Sequence, residues 1–113
     1  DGPNYSVENV AEAVSMANKS NVIPSLMIDC NHGNSSKDPE RQPTVLREVI
    51  KQIMEGNKNI HAVMLESNLI AGSQKFPQPL EDLKYGVSIT DGCLDWQTTE
   101  TALREAHTSL VDR

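Results

Sequence analysis

The fold is decided by residues 26–66, which read LMIDCNHGNSSKDPERQPTVLREVIKQIMEGNKNIHAVMLE. A short apolar run opens this stretch and a second one closes it at residues 62–65, and neither alternates as a half-exposed strand would. Between them, apolar residues recur at helical spacing: Val45, Leu46, Val49, Ile50, Ile53 and Met54. The pattern predicts a strand, a helix and a second strand. We therefore expect two parallel strands, buried on both faces and joined by a right-handed crossover.

Two further helices are predicted on either side of this unit. On the N-terminal side Ser6 can cap a helix, and its apolar face comprises Val7, Val10, Val14 and Ala17. Near the C-terminus we expect Thr98 to cap a last helix, with an inner face of Ala102, Leu103, Ala106 and Leu110. Residues 67–85 are predicted to be irregular because of their Gly and Pro content, and residues 87–91 to form a short extended piece.

The order of elements indicates an α/β protein that is only part of a sheet or barrel. Two or three parallel strands are too few for a complete sheet of this kind, and a (β/α)8 barrel takes about 250 residues. The chain has 113 residues. We therefore expect residues 1–113 to be one segment of a larger α/β domain.

Composition argues against several classes of partner. Ten basic and 16 acidic residues give a net charge of −6, so nucleic acid and anionic membrane surfaces are not expected. No apolar run approaches the roughly 18 residues of a membrane span, and residues 1–5 lack the features of a signal peptide. Two cysteines, Cys30 and Cys93, do not make a disulfide framework. We expect a reducing compartment, the cytoplasm.

Polar side chains stand where the predicted strands end. His32 follows the first strand, Glu66 ends the second, and Asp91 closes the extended piece. Ligands bind at the carboxyl ends of parallel strands in sheets and barrels alike. One imidazole and two carboxylates make a plausible site for Mn, Fe, Co or Zn. The alternative is a solvated His32, a Glu66 in an ion pair and an Asp91 that serves a turn or a cap.

The loop at residues 31–37, NHGNSSK, is the most unusual stretch of the chain. Its small residues allow close backbone approach to a ligand, and Ser, Asn and Lys supply donors for an anion. It lacks the glycine pattern of a phosphate-binding P-loop, so nucleotide binding is not supported. A plain polar turn is the alternative.

Several motifs together resemble one family. They are GPNY at residues 2–5, MIDCNHGNSSK at 27–37, VMLESNL at 63–69, GSQ at 72–74 and LKYGVSITD at 83–91. In this order and at this spacing they resemble the class I 3-deoxy-D-arabino-heptulosonate 7-phosphate (DAHP) synthases over nearly the whole chain. The full chains of that family are about three times this length, and the likeness falls on their C-terminal part.

The resemblance implies a fold, a reaction and a ligand set. The fold is a (β/α)8 barrel, of which this chain would supply the last two parallel strands, their flanking helices and the closing helix. The reaction is the condensation of phosphoenolpyruvate with erythrose 4-phosphate, the first step of the shikimate pathway, and it needs one divalent metal ion. By matching motifs, His32, Glu66 and Asp91 are three of four metal ligands, and the fourth is a cysteine outside this chain. Catalytic roles are implied for His32 and Asp91.

The resemblance also shows what the chain lacks. Two phosphorylated substrates require a cluster of Arg and Lys, but none of the four arginines follows a predicted strand: Arg41, Arg47, Arg104 and Arg113. In the family those cationic groups come from earlier barrel strands. Asn31 departs from the family pattern, in which serine is common at this position. None of the departures removes a ligand.

These observations lead to a preferred prediction and an alternative. The preferred one is a C-terminal portion of the synthase that holds the metal half of the active site and is inactive alone. We expect it to need the rest of the barrel and to form homo-oligomers. The alternative is a stand-alone divalent-metal-binding or interaction module derived from the synthase.

Overall fold

The computed structural model describes residues 2–112. Five main elements follow one another along the chain: α1 (Val7–Lys19), β1 (Leu26–Asp29), α2 (Gln42–Met54), β2 (Ile60–Met64) and α3 (Trp96–Val111). Three short 3-10 turns lie between them, at His32–Ser35, Pro39–Arg41 and Leu80–Asp82. The strand–helix–strand unit predicted from residues 26–66 is confirmed, and α1 lies where the apolar spacing places it.

The two strands are parallel, as the crossover requires. Leu26 pairs with Ile60 and Asp29 with Met64, and the register shifts between Leu26 and Met27. Both strands therefore end at the same edge of the sheet. Glu66 follows two residues after the end of β2, which brings it to the edge where β1 runs into the loop at residues 31–37.

The hydrophobic core lies between the sheet and α2. Val45, Leu46 and Val49 on α2 are almost fully buried, and they belong to one cluster with Ile28 of β1 and Val10 of α1. Helix α3 packs against α2 and contributes Ala102 to the same cluster. The apolar face of α2 that the sequence predicts is therefore the central contact surface of the described residues.

One prediction about the strands is wrong in part. Ile28 is buried against the core, but Met27 on the opposite face of β1 is 65% exposed. Alternate side chains of a strand point to opposite faces, and within residues 2–112 only one face of the sheet is covered. The two strands make an open two-stranded sheet and not a closed barrel within that range.

The segment between β2 and α3 is irregular but hydrogen-bonded. It contains isolated bridges instead of a strand, among them Ser73 with Ser88 and Gly72 with Cys93. The prediction of an extended piece at residues 87–91 is therefore wrong, although a bridge does form there. The backbone N–H of Gln74 donates to the carbonyl oxygen of Ser88 at 2.8 Å, which fixes the approach of the chain to Asp91.

The predicted N-terminal cap of α1 is confirmed, whereas the predicted N-terminal cap of α3 is wrong. The Ser6 hydroxyl accepts a hydrogen bond from the backbone N–H of Asn9 at 3.1 Å, as predicted for the start of α1. Helix α3 is capped by Asp95 and not by Thr98, because the Asp95 carboxylate accepts from the Thr98 backbone N–H at 2.7 Å. One residue of the predicted inner face, Leu103, is exposed. Within residues 2–112, no helix is both long enough and apolar enough to traverse a bilayer.

Candidate metal centre

The loop after β1 holds His32 in an unusual backbone conformation. His32 has φ of +49°, in the left-handed region that non-glycine residues seldom adopt. Such a conformation costs roughly 1–2 kcal/mol, and the surrounding hydrogen bonds must hold it in place. The His32 carbonyl oxygen accepts from the backbone N–H of Lys37 at 2.9 Å and from the Ser35 hydroxyl at 3.2 Å. Strain of this kind concentrates at functional sites.

Three residues predicted from the sequence come together at the edge of the sheet. One ligand atom from each of His32, Glu66 and Asp91 lies within 4.8 Å of the other two. His32 Nε2 is 3.0 Å from Asp91 Oδ2 and 3.5 Å from Glu66 Oε2. The ends of two strands and the turn before α3 therefore supply one imidazole nitrogen and two carboxylates to a common point.

A fourth residue, Asp29, orients the imidazole. Asp29 ends β1, and its Oδ2 lies 2.7 Å from His32 Nδ1. Its other carboxylate oxygen accepts from the backbone N–H of Asn31 at 2.8 Å. A histidine that ligates a metal commonly donates its second ring nitrogen to a carboxylate in this way. The contact holds Nε2 toward Glu66 and Asp91.

Two buried amides hold Glu66. Gln42, at the start of α2, is 0% exposed, and its side chain donates to the Glu66 carbonyl oxygen at 3.1 Å and accepts from the Glu66 backbone N–H at 2.8 Å. The side-chain amide of Asn31 donates to Glu66 Oε2. Backbone and carboxylate of Glu66 are therefore fixed by separate neutral groups.

The local charge is strongly negative. The hydrogen bonds to Asp29 and Asp91 raise the pKa of His32 above its ordinary value, and the charge of Glu66 acts in the same direction. The ion pairs that Arg47 and Arg104 form within residues 2–112 are with glutamates of α3. No arginine or lysine within that range forms an ion pair with the carboxylates around His32.

This arrangement fits a divalent cation. With Nδ1 donating to Asp29, Nε2 either carries a second proton or directs a lone pair toward Glu66 and Asp91. When Nε2 directs a lone pair, it and the two carboxylates each offer an electron pair to a bound cation. Nitrogen and oxygen donors in this combination suit zinc and the neighbouring divalent transition metals.

A small cleft opens beside the three residues. Its volume is about 260 Å³, and His32, Lys37, Asp91 and Gly92 contribute to its wall. Pockets for small organic ligands usually measure roughly 300–1,000 Å³. The cleft is slightly smaller than that range, and Lys37 is a cation on its wall.

The two cysteines are not part of the cluster. Both are buried, and burial raises the pKa of Cys30 to about 12 and raises that of Cys93 as well. A thiol in that state is a poor ligand and a poor nucleophile at neutral pH. His61, the other histidine near a strand, lies at the opposite end of β2 and contacts Ser25.

Sequence reasoning placed the three ligand candidates but missed the residues that hold them. Asp29 was visible as a strand-end acid three residues before His32. Gln42 also left a signal, since it continues the apolar face of α2 at helical spacing from Val45 and Leu46. A polar residue on a buried face needs a partner, and here the partner is the backbone of Glu66.

The fold and the site thus define a partial α/β unit with a candidate metal centre at the carboxyl ends of its parallel strands. Residues 1–104 match the model of the DAHP synthetase I family. The chain belongs to this family.

Individual relatives agree with the family match. The chain is 50% identical to a Tyr-sensitive phospho-2-dehydro-3-deoxyheptonate aldolase of Enterobacter agglomerans over 96% of its own length and 51% of the relative's. It is 47% identical to the Tyr-sensitive enzyme of Escherichia coli strain K12, covering 96% of this chain and 30% of that protein. The solved structure of the phospho-2-dehydro-3-deoxyheptonate aldolase of Francisella tularensis SCHU S4 matches with a TM-score of 0.88 and 39% identity, over 96% of this chain and 31% of that one.

The chain corresponds to only part of each relative. It spans between about a third and half of the length of these relatives, and it matches their C-terminal portion. The structural relative is a (β/α)8 barrel, and the two parallel strands described above are part of such a barrel. The prediction of a partial barrel is confirmed.

Proposed function

We propose that this chain supplies three metal ligands to the active site of a DAHP synthase, with His32, Glu66 and Asp91 in that role. The observation that carries the proposal is the convergence of their ligand atoms within 4.8 Å at the strand ends. The family and its named aldolase relatives support the reaction: condensation of phosphoenolpyruvate with erythrose 4-phosphate to give DAHP and phosphate, in aromatic amino-acid biosynthesis.

We assign different roles in the site to different residues of this chain. Bound there, a divalent cation such as Mn, Fe, Co or Zn supplies a Lewis acid for a carbonyl oxygen. His32 and Glu66 hold that ion, and Asp29 keeps the imidazole oriented. Asp91 is the most exposed of the three ligands and borders the cleft, so it also reaches a substrate hydroxyl there. His32 lines the same cleft, and we propose that it also acts in the proton transfers of the reaction.

The chain does not carry out the reaction alone. Two phosphates and a carboxylate must be held, and such groups are bound by clusters of Arg and Lys. Of the cations within residues 2–112, Lys37 borders the cleft, whereas Arg47 and Arg104 pair with glutamates on α3. The missing cations must come from another part of the barrel.

Metal titration tests the ligand set. Calorimetric titration of the 113-residue chain with Mn²⁺ should show one binding site, and His32→Ala should abolish it. His61→Ala is the matched control, because His61 is an exposed histidine that contacts Ser25 and lies away from the cluster. Undiminished one-to-one binding in His32→Ala would overturn the assignment.

An activity assay separates the proposal from a stand-alone metal-binding module. Loss of phosphoenolpyruvate absorbance should be undetectable with the chain alone and should appear when a second chain supplies the remaining barrel segments. A stand-alone module would bind metal but give no turnover, whether or not the second chain is present. Turnover by the isolated chain would contradict the claim that other segments are required.

A further inference from the structure

Asn31 is a buried residue whose polar groups are all engaged. It is 4% exposed. Its side-chain nitrogen donates to Glu66 Oε2 and, at 3.3 Å, to the carbonyl oxygen of Gly92. Its side-chain oxygen accepts from the Ser35 hydroxyl at 2.7 Å. A carboxamide has two N–H donors and one carbonyl acceptor, so every hydrogen-bonding group of this side chain has found a protein partner.

These contacts join the three segments that carry the candidate ligands. Asn31 precedes His32 in the chain, binds the carboxylate of Glu66 directly, and binds the residue that follows Asp91. The three segments are otherwise far apart in sequence, separated by 34 and 25 residues. A single side chain therefore cross-links the strand end, the β2 terminus and the turn before α3.

We propose that Asn31 is a positioning residue for the metal centre, and that its side chain fixes the Glu66 carboxylate and the Asp91 segment relative to His32. This inference rests on the proposed function for the use of the arrangement. The hydrogen bonds themselves are contacts between residues of this chain.

Glu66 shows why such a residue is needed. Gln42 holds the backbone N–H and carbonyl of Glu66, which fixes where the residue lies but leaves its side-chain torsions free. Asn31 removes that remaining freedom by binding Oε2. Because both holders are neutral amides, the carboxylate keeps its full negative charge for a cation, whereas a lysine or arginine in the same place would neutralise it.

The double link is specific to the size and chemistry of asparagine. A serine hydroxyl has one donor and a shorter reach, so it cannot bind Glu66 and Gly92 together.

Asn34 offers a matched control in the same loop. It is also a buried asparagine, 8% exposed, and its side chain makes two hydrogen bonds. It donates to the Asp29 carbonyl oxygen at 2.8 Å and accepts from the Asn4 backbone N–H at 2.7 Å. Neither partner is the side chain of a candidate ligand. Asn31→Ala and Asn34→Ala therefore delete the same group from similar burial with different consequences for the site.

The first test uses the metal-free chain and nuclear magnetic resonance. The side-chain NH₂ protons of Asn31 should exchange with water about ten-fold or more slowly compared with those of exposed Asn18, because they are buried and bonded. Glu66→Gln should shift the Asn31 NH₂ signals and leave those of Asn34 in place. Fast exchange at Asn31, or no response to Glu66→Gln, would overturn the inference whatever the chain does with metals.

The second test measures the affinity for Mn²⁺ from the free-ion signal in electron paramagnetic resonance. Removal of a residue that orients a ligand typically weakens metal binding about 10–100-fold, and we expect that range for Asn31→Ala. Asn34→Ala, with its helical circular dichroism intact, should bind nearly as well as the unsubstituted chain. Equal affinities for Asn31→Ala and the unsubstituted chain, or equal losses in both variants, would overturn the positioning role. Absence of Mn²⁺ binding in the unsubstituted chain would overturn the proposed function instead, and the exchange measurement would still decide whether Asn31 holds Glu66.

Discussion

His32 has an uncommon backbone conformation, and both of its ring nitrogens contact carboxylates. The residue is in the left-handed region, yet 44% of its side chain is exposed. Burial therefore does not explain the conformation. The carbonyl oxygen of His32 accepts two hydrogen bonds, and its ring contacts Asp29 and Asp91 in two separate segments.

Asp29 provides the first test at this scale. Asp29→Ala removes the carboxylate that orients His32 Nδ1 and should weaken Mn²⁺ binding about 10–100-fold. Asp38→Ala is the control, since Asp38 is an exposed acid of the same loop whose side chain accepts from the Glu40 backbone N–H. The two affinities are compared by calorimetry. Similar affinities in both variants would show that Asp29 does not orient the imidazole.

Cys30 gives a prediction about pH. Its pKa of about 12 means that the folded chain holds the thiol proton more tightly than the unfolded chain does. Stability is therefore unaffected by this group at low pH and falls as pH rises from the ordinary thiol value of about 8.5 toward 12. Thiolate is the reactive form, so Cys30 should react with a disulfide reagent at pH 8 only after unfolding in urea.

The control for Cys30 is the same assay on Cys30→Ala. The native unsubstituted chain and this variant should show the same labelling, because the thiol that is removed was unreactive. In urea the unsubstituted chain should gain one more label than the variant. Rapid labelling of Cys30 in the native chain would contradict its burial.

Among the elements, α3 shows how a cap sets the limits of a helix. The sequence analysis predicts Thr98 as the cap, whereas the structure has Asp95, which is also a residue type that caps helices. Asp95 directly follows Leu94, which forms an isolated bridge with Ser67. That bridge joins segments 27 residues apart in sequence, so no local pattern could have revealed it.

The Asp95 cap can be tested through pH. Hydrogen bonds from Thr98 lower the pKa of Asp95 below its ordinary value of 3.8. The ionised cap therefore stabilises α3 above about that pH, and its contribution is lost as pH falls through the lowered pKa. Asp95→Ala should lower the urea midpoint at pH 7, whereas Asp95→Asn, which keeps an acceptor oxygen, should lower it less. Equal midpoints for the unsubstituted chain and Asp95→Ala would contradict the cap.

The elements that sequence reasoning found and those it missed differ in what holds them. The two strands and α2 were predictable because apolar spacing over residues 26–66 depends on local periodicity. The segment at residues 87–91 was not, because its single bridge depends on a distant partner at Ser73. The ligand candidates were found from the rule that strand ends meet. Asn31 and Gln42 were missed because their partners are set by the tertiary fold.

Over the whole molecule, the open sheet and its exposed face are the main consequence of a partial barrel. Each strand has one partner within residues 2–112, and unpaired strand edges promote association. Large apolar side chains are also exposed, among them Met27, Ile23 and Tyr85. We therefore expect the isolated chain to self-associate.

Sedimentation velocity tests this expectation. The chain should show species that grow with concentration, and Met27→Lys should shift the distribution toward monomer by placing a charge on the open face of β1. Met16→Lys is the control, because Met16 is 62% exposed, close to the 65% of Met27, but lies on α1. A monodisperse monomer at all concentrations would show that the open sheet does not drive association.

The position of a bound metal ion tests the central claim most directly. Crystals of the chain grown with Zn²⁺ and measured at the zinc absorption edge should show one strong anomalous peak. It should lie about 2.0–2.2 Å from His32 Nε2 and from one carboxylate oxygen each of Glu66 and Asp91. A structure in which zinc binds elsewhere, or in which the three side chains remain without a common ion at saturating Zn²⁺, would contradict the account.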